Sequence, residues 1–268
     1  GEDIVLTQLS TDQSFKWGLD HNAVTLLSLD LRADSEAEIG LPEINADAIP
    51  YYQTNYRDTH LKISATTLKI GDGTGQGSRR IKLNLGSNVS DVTVYKTASS
   101  PADTDEACVH LIGANAGNTL QVLSGTVDIA MLAGSAASTW PTIVASGGRV
   151  RCGSGVTLTT VEAAGGSTVE TRSAVTTLRT RDSGKVTHIG SGAIGTLDIA
   201  GGNVEVQATG ALTITTLNGY AGKTLDLSKC DSNVTITNAT IYGSPDNPFI
   251  ISDPNNKLVM SNPASTPN

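Results

Sequence analysis

The chain has 268 residues, of which 38% are hydrophobic and only 4% aromatic, with 28 glycines. That is enough apolar material for a core, and it suits thin coils filled by small aliphatic side chains better than a wide globular interior. Lys and Arg number 18 against 26 Asp and Glu, a formal charge of −8, which argues against binding a phosphate backbone, so no nucleic-acid partner is expected.

The opening residues GEDIVLTQLS carry no basic stretch followed by an apolar one, and nowhere does an apolar run approach the ~18 residues of a membrane span. The expectation is a protein folded in a cytoplasm, with neither signal peptide nor membrane partner. Cys108, Cys152 and Cys230 are odd in number and widely spaced, so they read as buried thiols and not as a disulfide framework.

In chain order, Asp3–Thr7 and Val24–Leu31 read as strands, the second with Leu27, Leu29 and Leu31 alternating onto one face. Phe15 and Trp17 lie between them, and Tyr51, Tyr52 and Tyr56 follow, so large rings concentrate in residues 1–60. Such residues either close a small core or dock on a partner. The acidic, Pro-containing stretch Asp34–Pro50 predicts a surface loop or arm.

Leu61–Ile70 predicts a strand pair, and the glycine run Gly71–Ser78 a flexible hairpin tip before Ile81–Leu85. A phosphate-binding loop is excluded there, because neither the Lys-Ser/Thr ending nor a following helix is present. Further strands are expected at Val89–Tyr95, Val109–Ile112, Leu120–Leu123 and Val127–Leu132, so the repeat architecture can begin near residue 61.

From Ala137 to Asp231 the chain repeats. Gly147-Gly148, Gly165-Gly166, Ser183-Gly184 and Gly201-Gly202 recur every 18 residues (147, 165, 183, 201), with a looser turn at Ala221-Gly222. Apolar residues keep step in two ladders, Val150, Val169, Val186, Val204, Leu225 and Val156, Val175, Ile194, Leu212, Cys230. A fixed period near 20 marks a solenoid. The intervening Val, Ile, Leu and Thr favour strands, and glycine corners allow tight turns. The predicted fold is therefore all-β, a single-stranded parallel β-helix of six to nine coils. The right-handed form is favoured and the left-handed form is the runner-up, since no apolar residue holds a strict six-residue beat. The expected organisation is an N-terminal β segment or docking arm at 1–60, the β-helix at 61–243, and a Pro-rich cap at 244–268 in which Pro245, Pro248, Pro254, Pro263 and Pro267 stop the stack.

The stretch LKISATTLKIGDGTGQGSRRIKLNLG, Leu61 to Gly86, resembles a group of tailed-phage virion proteins. Their shared pattern reads Tyr-Arg-x-Thr-x-Leu-x-Ile-x-Ala-Thr-Thr-x-x-Ile-Gly-x-Gly-x-Gly-x-Gly-Ser-x-Arg-Ile-Lys. Tyr56-Arg57-Asp58-Thr59 and Val92-Thr93-Val94-Tyr95 fit it too, and the likeness runs over about residues 50–230. The resemblance implies a virion component and supplies no catalytic motif to carry over.

Enzymes built on parallel β-helices set two or three carboxylates on adjacent coils, and the candidates are Asp128, Glu162, Glu170, Asp182, Asp198, Glu205 and Asp226. Their phases differ, and they read as solvated or paired charges. His21, His60, His110 and His188 stand at no ligand spacing, so neither metal nor cofactor is expected. Gly153-Ser154-Gly155 reads as a β corner and not a nucleophile elbow. Arg149, Arg151, Arg172, Arg179 and Arg181 form the basic cluster, either a stripe facing an acidic partner or partners for neighbouring carboxylates. The repeat region holds only Trp140 and Tyr220 as aromatic platforms.

The expectation for function is a non-enzymatic virion structural protein, foremost a decoration or cement protein on the head. A tail-associated receptor-binding adhesin is the alternative, and a glycan-cleaving enzyme ranks third. The expected partners are the major capsid protein or other virion proteins and two further copies of the chain in a homotrimer, with Phe15, Trp17, Tyr51, Tyr52 and Tyr56 as interface residues.

Overall fold

The computed structural model describes residues 2–7, 20–35, 37–40, 60–85, 89, 91–98, 107–113, 119–131 and 138–266, with the backbone alone at 20–24. Among these residues all regular structure is β and no helix occurs; the strands stack into a parallel β-solenoid of about nine turns with a small N-terminal strand pair. Two compact units divide it, residues 1–139 and 140–268.

In the first unit β1 (Asp3–Leu6) lies parallel to β2 (Asp20–Arg32), and β2 to β3 (Leu61–Asp72). The predicted strand pair at Leu61–Ile70 is instead one strand whose two halves meet different neighbours. Its start pairs with β4 (Ile81–Leu85) and its end with β5 (Asp91–Val94). The wall then continues as β6 (Val109–Ile112) on β4, β7 (Thr119–Val122) on β5 and β8 (Thr126–Ile129) on β6. Every second residue points inward, so Leu29, Leu68, Val92 and Leu120 form one buried ladder and Leu31, Ile70, Val94 and Val122 the next.

The expected small N-terminal β segment is present, stacked in parallel on β3. Two other expectations change. The glycine run is no hairpin tip, because β3 and β4 run parallel: it is a coil corner, with Gly77 N–H donating to the Ala33 carbonyl and Lys96 Nζ to the Gly75 carbonyl. The start of the expected Asp34–Pro50 loop is a rung. Ile39 is buried, bridges Ile81 in parallel, and exchanges backbone hydrogen bonds with Arg80 and Lys82.

The second unit runs from β9 (Ser138–Ala145) through β10 (Arg149–Cys152), β11 (Val156–Ala163), β12 (Thr168–Thr171), β13 (Val175–Thr180), β14 (Lys185–Ile189), β15 (Ile194–Ile199), β16 (Asn203–Gln207), β17 (Leu212–Tyr220), β18 (Thr224–Asp226) and β19 (Val234–Tyr242). Odd strands from β11 to β19 stack as one wall and even strands from β10 to β18 as another. Val150, Val169, Val186, Val204 and Leu225 are consecutive register partners inside the even wall, all buried. The glycine doublets stack at the corner. At Gly202 φ is +59°, and a Cβ would lie 1.7 Å from the Gly184 carbonyl oxygen, so only hydrogen fits. Where the doublet reads Ser183-Gly184, the left-handed residue is Asp182 (φ 51°), a residue type that tolerates this conformation.

The stack does not stop at the prolines. Strand β20 (Ile250–Ser252) pairs in parallel with β18, and β21 (Leu258–Met260) with β19. Pro245 and Pro254 occupy turns between strands, where the missing N–H costs no ladder bond.

Candidate functional site

The outer face of the odd wall carries two rows in strict register. Thr160, Thr177, Thr196, Thr216 and Asn238 form one, and Glu162, Arg179, Asp198, Asn218 and Thr240 the other. The residues between the rows, such as Leu178, Leu197 and Leu217, point into the core. Alternation of the β pleat puts hydroxyls and charges on one flat face and aliphatic side chains behind it.

Ion pairs run along the second row. Arg179 Nε lies 3.0 Å from Asp198 Oδ2 and its Nη1 3.6 Å from Glu162 Oε2, while Arg181 Nε lies 3.1 Å from Glu162 Oε2. Two positive and two negative groups thus neutralise one another. At the C-terminal end of this face Tyr220 and Tyr242, register partners on adjacent rungs, stack with ring centroids 4.6 Å apart and planes 12° from parallel. Partial burial, and then the nearby Asp198 carboxylate, push the Tyr220 hydroxyl above its ordinary pKa. Trp140, the other expected platform, is buried.

On the even wall Glu170, Glu205 and Asp226 share an outer row with Arg151 and Thr187. Glu170 Oε1 holds Arg172 Nε at 2.6 Å. Glu205 accepts from Lys229 Nζ at 2.9 Å and from Gln207, and the Lys229 hydrogen bond foremost holds its carboxyl below the usual range. A carboxyl in that state is a poor general acid. Asp226 Oδ1 accepts the backbone N–H of Ser228 at 2.9 Å. The arginines accordingly make no single stripe: Arg149 and Arg151 stand on the even wall, Arg179 on the odd wall with Arg181 just beyond it, and Arg172, Arg179 and Arg181 pair with neighbouring carboxylates.

The first unit hides a different row. Lys82, His110 and Asp128 are register partners on β4, β6 and β8, alternate with inward-facing Ile81, Leu83, Val109, Leu111, Val127 and Ile129, and yet are only 1%, 3% and 3% exposed. The outer face of this wall is therefore covered too. Gly40 sits over Lys82, since a Cβ there would fall 2.8 Å from the lysine's own Cβ. None of the three is without a partner, as buried charge requires. Burial this deep leaves no approach for a substrate.

Inside the second unit His188 faces the core. Its Nε2 donates to the Gly192 carbonyl at 2.7 Å, which makes Nδ1 the acceptor of the Thr171 hydroxyl at 2.8 Å in the neutral ring. Cys108, Cys152 and Cys230 are buried, and burial raises the Cys230 thiol above its ordinary pKa. A crevice lined by Leu6, Leu31, Ala37, Ile39 and Ile81 is too narrow for water and belongs to the packing of the first rungs. Among the described residues no group of three His, Cys, Asp or Glu is placed to hold a metal ion.

Phe15, Trp17, Tyr51, Tyr52 and Tyr56 lie outside the described residues, as does the side chain of His21. Sequence reasoning missed the partnership of Tyr220 with Tyr242, although Thr240-Ile241-Tyr242 repeats the spacing of Asn218-Gly219-Tyr220. It also missed the Lys82 row, whose members follow no period. No family model, curated protein or solved structure matches the chain.

Proposed function

We propose that the chain is a virion structural protein, a decoration or cement protein on the outside of a phage head, acting as a homotrimer. The observation that carries this reading is the use of its carboxylates. Glu162, Glu170, Asp198 and Glu205 pair with cations, Asp226 caps a turn, Asp182 makes a corner, and Asp128 is buried. A cement protein needs a stiff body and a docking segment, whereas a glycan-cleaving enzyme needs an accessible acid pair in a groove. The resemblance at residues 56–95 supports the particle part of the reading. Docked over junctions between capsid subunits, the protein would stabilise the shell by mass action.

Electron microscopy of the particle tests location: copies spaced regularly over the head lattice are expected, and density at the tail tip overturns the reading. Light scattering at micromolar concentration tests assembly, where a 27.6 kDa particle would remove the trimer.

A further inference from the structure

We propose that the outer face of β13, β15, β17 and β19, ending at Tyr220 and Tyr242, binds a linear, uncharged polysaccharide laid along the direction in which the coils stack. This goes beyond a role in cementing a shell, which requires no such ligand.

Periodicity comes first. Groups in one row recur at the inter-strand spacing of about 4.8 Å, close to one pyranose step, so a regular chain of sugars meets an equivalent group at each rung. The first row supplies hydroxyls from Thr177, Thr196 and Thr216 and the second an amide from Asn218, groups that both donate and accept and so suit a polyol. Charge selects against ionic ligands. Arg179 and Arg181 are held by Glu162 and Asp198, so an anionic polymer would have to break those pairs, and a cationic one likewise.

The tyrosines supply the apolar part. Tyr242 is 41% exposed at the end of the wall, with its ring fixed against Tyr220. Stacked on adjacent rungs, the two rings stand across the coil axis and present their apolar edges to a chain laid along it, and little entropy is lost because they hold each other in place. Ladders on both sides of β17, and on β19 the ladder to β17 with the Thr240–Ser265 bridge beyond it, hold the polar rows still.

The test is an array of linear neutral oligosaccharides (glucans, mannans, galactans) beside acidic ones, probed with the fluorescently labelled full chain. Binding to at least one neutral series is expected, at least tenfold weaker in Tyr242→Ala and close to wild type in Tyr242→Phe, which keeps the ring. Asn218→Ala, which touches no ion pair, is expected to weaken binding severalfold with an unchanged melting temperature, so a misfolded Tyr242→Ala would not decide the matter. Binding to no neutral glycan, binding to acidic glycans alone, or neutral binding indifferent to both Tyr242→Ala and Asn218→Ala overturns the proposal. So does a change of oligomeric state in folded Tyr242→Ala without loss of sugar, which would make this face a contact between copies.

Discussion

Thr171 and His188, register partners on β12 and β14, join by a 2.8 Å hydrogen bond inside the second unit. Burial foremost lowers the His188 pKa from 6.5, and the hydrogen bond to the Gly192 carbonyl opposes that shift only in part. With the folded pKa below the unfolded one, the unfolded chain binds the extra proton as pH falls. Stability from this group is therefore complete above pH 6.5 and declines below it until the folded ring also titrates. Urea midpoints are expected to be lower at pH 5 than at pH 8, with the difference reduced in His188→Gln. Thr171→Val, which leaves Nδ1 unpaired, is expected to cost about 1–3 kcal/mol at neutral pH.

Two glycines separate conformational need from mere occurrence. Gly202→Ala meets both a positive φ and the Gly184 carbonyl oxygen at 1.7 Å, so a loss exceeding the roughly 1–2 kcal/mol of left-handed strain alone is expected. Gly155 has no positive φ and open space around it, and Gly155→Ala should stay within about 0.5 kcal/mol of wild type. Thermal melts of the two variants side by side check the corner geometry.

The covered row Lys82, His110 and Asp128 makes a stronger demand. Lys82→Ala removes a charge from a site in which the remaining groups stay buried, with an expected loss on the order of 3–5 kcal/mol. Gly40→Ala should also destabilise, since its Cβ would strike the Lys82 side chain at a φ of +85°. Equal stability of Lys82→Ala and wild type in denaturant would mean that the row is open to water.

The even wall was legible because one aliphatic residue per coil keeps step with each glycine doublet, so Val150 to Leu225 could be aligned by counting alone. The second ladder was legible in its face and not in its register. Val175 and Ile194 pair with Leu158 and Ile214, two residues from the expected Val156 and Leu212, and a shift of two keeps the same face of a strand. Cys230 lies off that ladder, its thiol donating to the Val206 carbonyl. The first unit was harder to read, because its coils are interrupted by long connections of uneven length. No periodicity could bring Lys82 beside His110, and only register does so. Pro245 and Pro254 misled for a local reason: proline has no N–H to give a ladder, and these two sit in turns between strands.

Val204 offers the sharpest test of the stack. It is fully buried, one rung from Val186 and one from Leu225, and its neighbours in that ladder are aliphatic on both sides. An aspartate there meets no donor, so its charge must be desolvated without compensation or lost by protonation. Val204→Asp is expected to cost more than about 4 kcal/mol, the range reserved for buried unpaired charge, and to abolish the cooperative melt of the second unit followed by circular dichroism. Asn203, the adjacent residue, points outward and is exposed, so Asn203→Asp should melt within a few degrees of wild type. The contrast between neighbours depends on the period-two alternation of β16 and on nothing else in the chain. If both variants melt like wild type, the valine ladder does not form the core of the coil.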